Sequence, residues 1–200
     1  TIAIAGLNVK ICGSSAGLSD YGDGSTHQSI EDMSLMRGIP GMTVLVPVDA
    51  VETTQMVAAM VEHKGPAYIR INRNDLPILT AAERKFEIGK LYTMREGSDA
   101  VVFANGVMVS KALAAAEILA KENISLKVIN VPTVKPLDRQ AVIAATAGMK
   151  AAVTAEEHSV IGGLGSAIAE ALRMEKGVSL DFVGIEDVFG TSALGYDELM

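Results

Sequence analysis

Eight residues, Tyr21-Gly22-Asp23-Gly24-Ser25-Thr26-His27-Gln28, place a carboxylate and an imidazole in one short stretch. A carboxylate can order a polar substrate, and an imidazole can carry its proton near pH 7. Gly22 and Gly24 flank Asp23, which suits a tight turn with positive φ. Ser25 followed by Gln28 reads as a capping box, and Ile30, Met33, Met36 and Arg37 follow at helical spacing. This predicts His27 in the first turn of a helix, where the dipole and free N–H groups favour the neutral ring. The competing reading is a histidine that merely caps or packs. A third candidate is Arg73, just past the apolar run Tyr68 to Ile71. Ligands of open α/β sheets bind beyond the C-terminal strand ends, where a guanidinium fork suits a phosphate. A surface ion pair with Asp75 would explain Arg73 equally well.

The other reactive side chains have plainer readings. Cys12 ends an apolar run and is expected to be a buried strand thiol. His158 follows Glu156 and Glu157 and is expected in a loop, held by those carboxylates. Gly162-Gly163-Leu164-Gly165 lacks the dinucleotide spacing and suits close packing of a helix start on a strand. His63 falls in the last turn of a helix. Met33, Met36, Met56 and Met60 sit at core spacing rather than in a metal site.

These residues need a frame, and the frame is repeated β-α-β order. Apolar runs at Val9–Cys12, Met42–Val46 and Tyr68–Ile71 alternate with two amphipathic segments. Asp49 and Glu52 form a second capping box, opening a helix from Ala50 to His63. Leu76 to Lys90, with Pro77 and charged Glu83, Arg84 and Lys85, reads as a linker. Beyond it come strands at 100–104, 126–131, 151–155 and 180–185. Helices at 107–121 and 138–147, and one opened by Gly162-Gly163-Leu164-Gly165 and running through Met174, alternate with them. Tyr196 to Leu199 could begin another. The pattern implies an α/β protein with two mostly parallel sheets, helices on both faces, and domains over 1–80 and 81–200. The opening Thr1 and the immediate apolar run suggest that the first domain begins part-way, as in a piece of a longer polypeptide.

The 200 residues carry a net charge of −7 with no basic block, which argues against nucleic acid. No apolar run approaches the ~18 residues of a membrane span. A single cysteine allows no internal disulfide and suits a reducing, cytoplasmic setting.

Asp23-Gly24-Ser25-Thr26-His27-Gln28 resembles the transketolase family. So do Ile30-Glu31-Asp32, Leu35-Met36-Arg37, Ile39-Pro40, Val46-Pro47 with Asp49 to Glu52, and Gly65-Pro66-Ala67 with Arg73. Asn105-Gly106, Glu156-Glu157-His158-Ser159 and Gly162 to Ser166 are similar to the same family's C-terminal domain. The resemblance runs over essentially the whole chain. It implies the end of a pyrimidine-binding domain followed by a transketolase C-terminal domain, as in the C-terminal subunit of a split enzyme. The implied reaction moves a two-carbon ketol unit between sugar phosphates on thiamin diphosphate, in the pentose phosphate pathway. His27 matches the catalytic histidine, Asp23 the carboxylate that reads a substrate hydroxyl, and Arg73 the arginine that grips the substrate phosphate.

The family's Mg²⁺ and diphosphate ligands are not found in this chain. Gly22-Asp23-Gly24 looks like a metal motif, but Met42 to Thr54 contains no asparagine to complete it. The glutamate that protonates the cofactor's aminopyrimidine is expected upstream. The resemblance therefore implies an N-terminal partner subunit, self-dimerisation, and no activity alone. Many members place a histidine in the loop before the motif, where this chain has Ser15. Related thiamin enzymes are alternatives: deoxyxylulose-phosphate synthase, or the beta subunit of a 2-oxo acid dehydrogenase. So is a non-catalytic assembly module.

Overall fold

The computed structural model describes all 200 residues. The first part contains β1 (Lys10–Ser14), α1 (Asp32–Gly38), β2 (Thr43–Leu45), α2 (Ala50–Glu62) and β3 (Ala67–Ile71). The second contains β4 (Tyr92–Arg95), β5 (Ala100–Ala104), α3 (Met108–Lys121), β6 (Leu126–Asn130) and β7 (Thr133–Lys135). It continues with α4 (Arg139–Thr146), β8 (Ala151–Ser159), α5 (Leu164–Leu172) and β9 (Ser179–Ile185).

Two mostly parallel sheets result. One runs β1-β3-β2-β7, with only β7 antiparallel; the other runs β4-β6-β5-β8-β9, with only β4 antiparallel. Buried parallel strands need apolar side chains on both faces. The run Ala-Val-Val-Phe-Ala of β5 supplies them: Val101 and Phe103 join one core with Ile168, while Val102 and Ala104 join another with Val109. Each such fully buried side chain is worth about 1.5–3 kcal/mol. Met56 and Met60 turn inward from α2 onto Leu45 and Ile69, and Met33 packs under β2, as core spacing requires.

The cap at α2 forms on the Asp49 side, while Glu52 reaches one residue further back than a capping box requires. Asp49 accepts from the Glu52 N–H at 2.8 Å, and Glu52 accepts from the Val48 N–H at 2.8 Å. The segment 76–90 has no helix or strand but is fastened to the first sheet. Leu79 and Thr80 N–H donate to Asp49 Oδ2 at 2.7 and 2.6 Å, Arg84 pairs with Glu52, and Phe86 enters the core beside Ile69. The division between the two halves is not clean in space, because β7 from the second half closes the first sheet.

Three local expectations fail. The thiol of Cys12 is exposed, on the edge strand β1 of the first sheet. His158 is not in a loop: β8 continues through Ser159 and the imidazole is completely buried. The capping box at Ser25 and Gln28 does not form. The segment Gly24–Thr26 is a single 3₁₀ turn without a side-chain cap, and α1 starts only at Asp32. Gln28 is buried and donates to the Thr191 carbonyl at 3.0 Å, so it is not available to fold back as a cap.

Candidate functional site

The C-terminal ends of β1 and β3 lie side by side, Ser14 opposite Ile71. The chain leaves β1 through Ser15 at φ 56 and Gly17 at φ 73, a left-handed path that turns residues 16–22 across the strand ends. Ser19 Oγ donates to the Ala16 carbonyl at 2.8 Å, which tightens the turn. From β3 comes Asn72-Arg73-Asn74-Asp75; Asn74 donates to the Ser19 carbonyl at 3.1 Å and joins the two loops. Between them is a cavity of about 380 Å³ lined by Ser19, Asp20, Arg73, Asn74 and Asp75.

Arg73 donates through Nη1 to Asp20 at 2.9 Å, so its ion-pair partner is Asp20 and not Asp75. Its side chain is 56 % exposed, and Nε and Nη2 have no protein partner. His27 and Asp23 are exposed further along the same loop and do not line this cavity. His27 follows the 3₁₀ turn: its N–H donates to the Gly24 carbonyl at 2.9 Å, and Nδ1 lies 3.0 Å from Thr26 Oγ1. The helix-head effect expected for His27 therefore does not operate, since the nearest α-helix begins at Asp32.

Beneath these loops is a buried ionic network. Arg70, 4 % exposed, donates through Nε to both Asp32 oxygens at 3.0 Å. Its Nη2 donates to the Glu157 carbonyl at 2.7 Å, and Nη1 stands 3.5 Å from the Glu157 carboxylate. Tyr68 donates to Asp32 at 2.6 Å. Glu157 also accepts from the Leu18 N–H and the Tyr196 hydroxyl, both at 2.7 Å, and from Asn72 at 3.3 Å. Leu18 and Asn72 are the residues next to Ser19 and Arg73. A carboxylate on β8 of the second domain thus ties down both walls of a cavity in the first. Burial pushes the Glu157 carboxyl up, opposed by the Arg70 charge and by the bonds from Tyr196, Leu18 and Asn72.

Glu156 caps α5, accepting from Leu164 and Gly165 N–H at 2.6 and 2.7 Å. Burial raises its carboxyl to about 7, partly offset by those two bonds. An added Cβ on Gly163 would stand 2.0 Å from Glu156 Oε2, which is why small residues open this helix. Burial, and then the Arg70 charge, lower the His158 imidazole and keep it neutral. The tautomer with hydrogen on Nδ1 fits both contacts: Nδ1 donates to the Ser159 carbonyl at 2.6 Å, and Nε2 accepts from the Ser34 N–H at 3.3 Å. No three His, Cys, Asp or Glu side chains converge as metal ligands, and no helix is long and apolar enough to cross a membrane.

Sequence reasoning overlooked Asp20, Arg70, Asp32 and Tyr196. One signal was available. Arg70 is a lone charge inside the apolar strand Ala-Tyr-Ile-Arg-Ile, and such a charge requires a buried partner.

The transketolase pyrimidine-binding domain matches residues 1–78, and the transketolase C-terminal domain matches residues 89–194. The chain belongs to the transketolase family. It is 46% identical over 97% of its length to the 6-deoxy-6-sulfo-D-fructose transketolase subunit of a Clostridium species, covering 60% of that protein. It is 39% identical over its whole length to a putative transketolase C-terminal section of Methanocaldococcus jannaschii, covering 63% of it. A solved split-gene transketolase, described as an inactive beta4 tetramer, superposes with a TM-score of 0.91 at 42% identity, over 99% of this chain and 63% of that one. The chain therefore spans about three-fifths of the length of these relatives.

Proposed function

We propose that this chain is the C-terminal subunit of a split transketolase, presenting the substrate-facing wall to a thiamin diphosphate held mainly by an N-terminal partner. The carrying observation is Arg73, a guanidinium oriented by Asp20 with free donors at the mouth of a polar cavity beyond two parallel strand ends. No three His, Cys, Asp or Glu side chains of this chain converge to offer a Mg²⁺ cage, and the glycine-rich helix start is occupied by the Glu156 carboxylate, which supports a diphosphate held mainly elsewhere. When bound, thiamin diphosphate supplies the carbanion chemistry of ketol transfer. This chain's part is to hold the sugar phosphate on Arg73, read a hydroxyl with Asp23, and move a hydroxyl proton at a ring nitrogen of His27. The exposed placement of Asp23 and His27 leaves both free to meet a substrate or a partner. Self-association and a cytoplasmic location complete the reading.

The test is reconstitution with an N-terminal transketolase subunit, Mg²⁺ and thiamin diphosphate. His27→Gln should lower turnover at least ~10²-fold with assembly intact, and Arg73→Gln should raise KM for the phosphorylated sugar more than it lowers kcat. Unchanged turnover in His27→Gln refutes the catalytic assignment. Tight cofactor binding by this chain alone refutes the partner assignment.

A further inference from the structure

A second cavity, of about 520 Å³, lies elsewhere, in the crevice between the end of α1, β7, and helices α4 and α5. Arg37, Lys135, Arg139 and Arg173 line it, with Glu170 the only acidic side chain. This is a local excess of positive charge in a chain with 24 acidic and 17 basic residues. Helix-end carbonyls account for part of it. Lys135 donates to the Arg37 and Ile39 carbonyls at 2.9 and 2.6 Å, Arg139 Nε to that of Ala171 at 2.9 Å, and Arg173 Nη1 to that of Glu170 at 3.0 Å. Arg37 pairs with Glu170. Both terminal nitrogens of Arg139 remain without a protein partner, as do Nε and Nη2 of Arg173, and no carboxylate pairs with either residue. Lys135 is held below its ordinary range, first by burial and second by the Arg37 charge. Leu137 adds an apolar surface at the same place.

We propose that this crevice binds a small organic phosphate, its phosphate on the Arg139 and Arg173 guanidinium groups and its carbon skeleton against Leu137. Two guanidinium groups with free planar donors match phosphate oxygens. The site is distinct from the Arg73 cavity, with which it shares no lining residue.

Calorimetric titration of the purified chain with glycerol 3-phosphate, inorganic phosphate and uncharged glycerol, at fixed ionic strength, tests it. Binding is expected for the two phosphates and not for glycerol, with the ester tighter than inorganic phosphate. Arg139→Gln with Arg173→Gln should weaken it about tenfold or more, and Arg173→Glu, a single exposed change, should also weaken it if the double variant unfolds. Arg73→Gln should leave this binding intact. No binding to the wild type, or equal binding in the crevice variants, overturns the proposal. Loss only in Arg73→Gln also overturns it, while leaving the strand-end reading standing.

Discussion

Replacing Arg70 with methionine isolates the ion network that joins the two domains. The substitution keeps an unbranched stem of similar length but removes the only cation facing Asp32 and Glu157. Asp32 keeps the Tyr68 hydroxyl, and Glu157 keeps Leu18 N–H, Tyr196 and Asn72. Both carboxylates are nearly inaccessible, at 7% and 5% exposure, so water cannot replace the guanidinium. Breaking a buried pair from one side costs about 3–5 kcal/mol; the retained hydrogen bonds place this case near ~3. That is a large part of the ~5–15 kcal/mol that holds a typical domain folded. The pH dependence gives a sharper test. Burial already raises the Glu157 carboxyl and Arg70 opposes the rise, so removing Arg70 raises it further. A carboxyl raised on folding contributes stability that is full below its unfolded value and lost as pH climbs through the folded one. The deficit of Arg70→Met should therefore be largest near pH 8 and shrink toward pH 5. Urea unfolding followed by circular dichroism at both pH values measures it. A deficit below ~1 kcal/mol, or one equal at the two pH values, refutes the view that these charges depend on one another.

Two further outcomes concern the α5 cap. Glu156 sits at about 7 against an ordinary 4.5, which corresponds to about 3 kcal/mol at most. Between pH 8 and 5 the folded wild type takes up a proton that Glu156→Gln cannot. The wild type should gain stability over the variant by up to ~3 kcal/mol as pH falls, as read from paired urea titrations. Gly163→Ala drives a methyl to 2.0 Å from Glu156 Oε2 and 2.7 Å from His158 Nδ1. It should cost about 2–4 kcal/mol, seen as a lowered melting temperature with faster amide exchange at Leu164 and Gly165.

Elements set by local chemistry were readable from the chain. Asp138 caps α4 through the Ala141 N–H at 2.9 Å, and β5, α3 and β6 fall within a residue of their apolar runs. The strands β4 and β7 were not, because four and three residues carry too little periodicity, and each is defined by an antiparallel partner distant in sequence. Ser25-Thr26-His27-Gln28 misled because Ser-x-x-Gln signals a cap only if the glutamine is free. Here its partner is the carbonyl of Thr191, a tertiary contact no local pattern contains. Cys12 misled because an apolar run does not reveal whether its strand lies at an edge. For the candidate site, Arg73 at the strand end followed from topology, whereas Asp20 as its partner depended on the path of the loop.

The least readable feature is the tie between the two halves. Consecutive strand residues face opposite sides, so Glu156 and His158 share one face of β8 and Glu157 takes the other. On the first face the two buried side chains stand 3.6 Å apart, and Glu156 closes the head of α5. On the second face Glu157 reaches Leu18, Asn72 and Arg70 of the other half, and also accepts from Tyr196 of its own. Adjacent carboxylates that look interchangeable in the sequence are separated by the strand's two-residue period into an intradomain cap and an interdomain tie. Glu156 and Glu157 thus serve different partners although they are adjacent, in a stretch where the pairing of β8 with β9 shifts register.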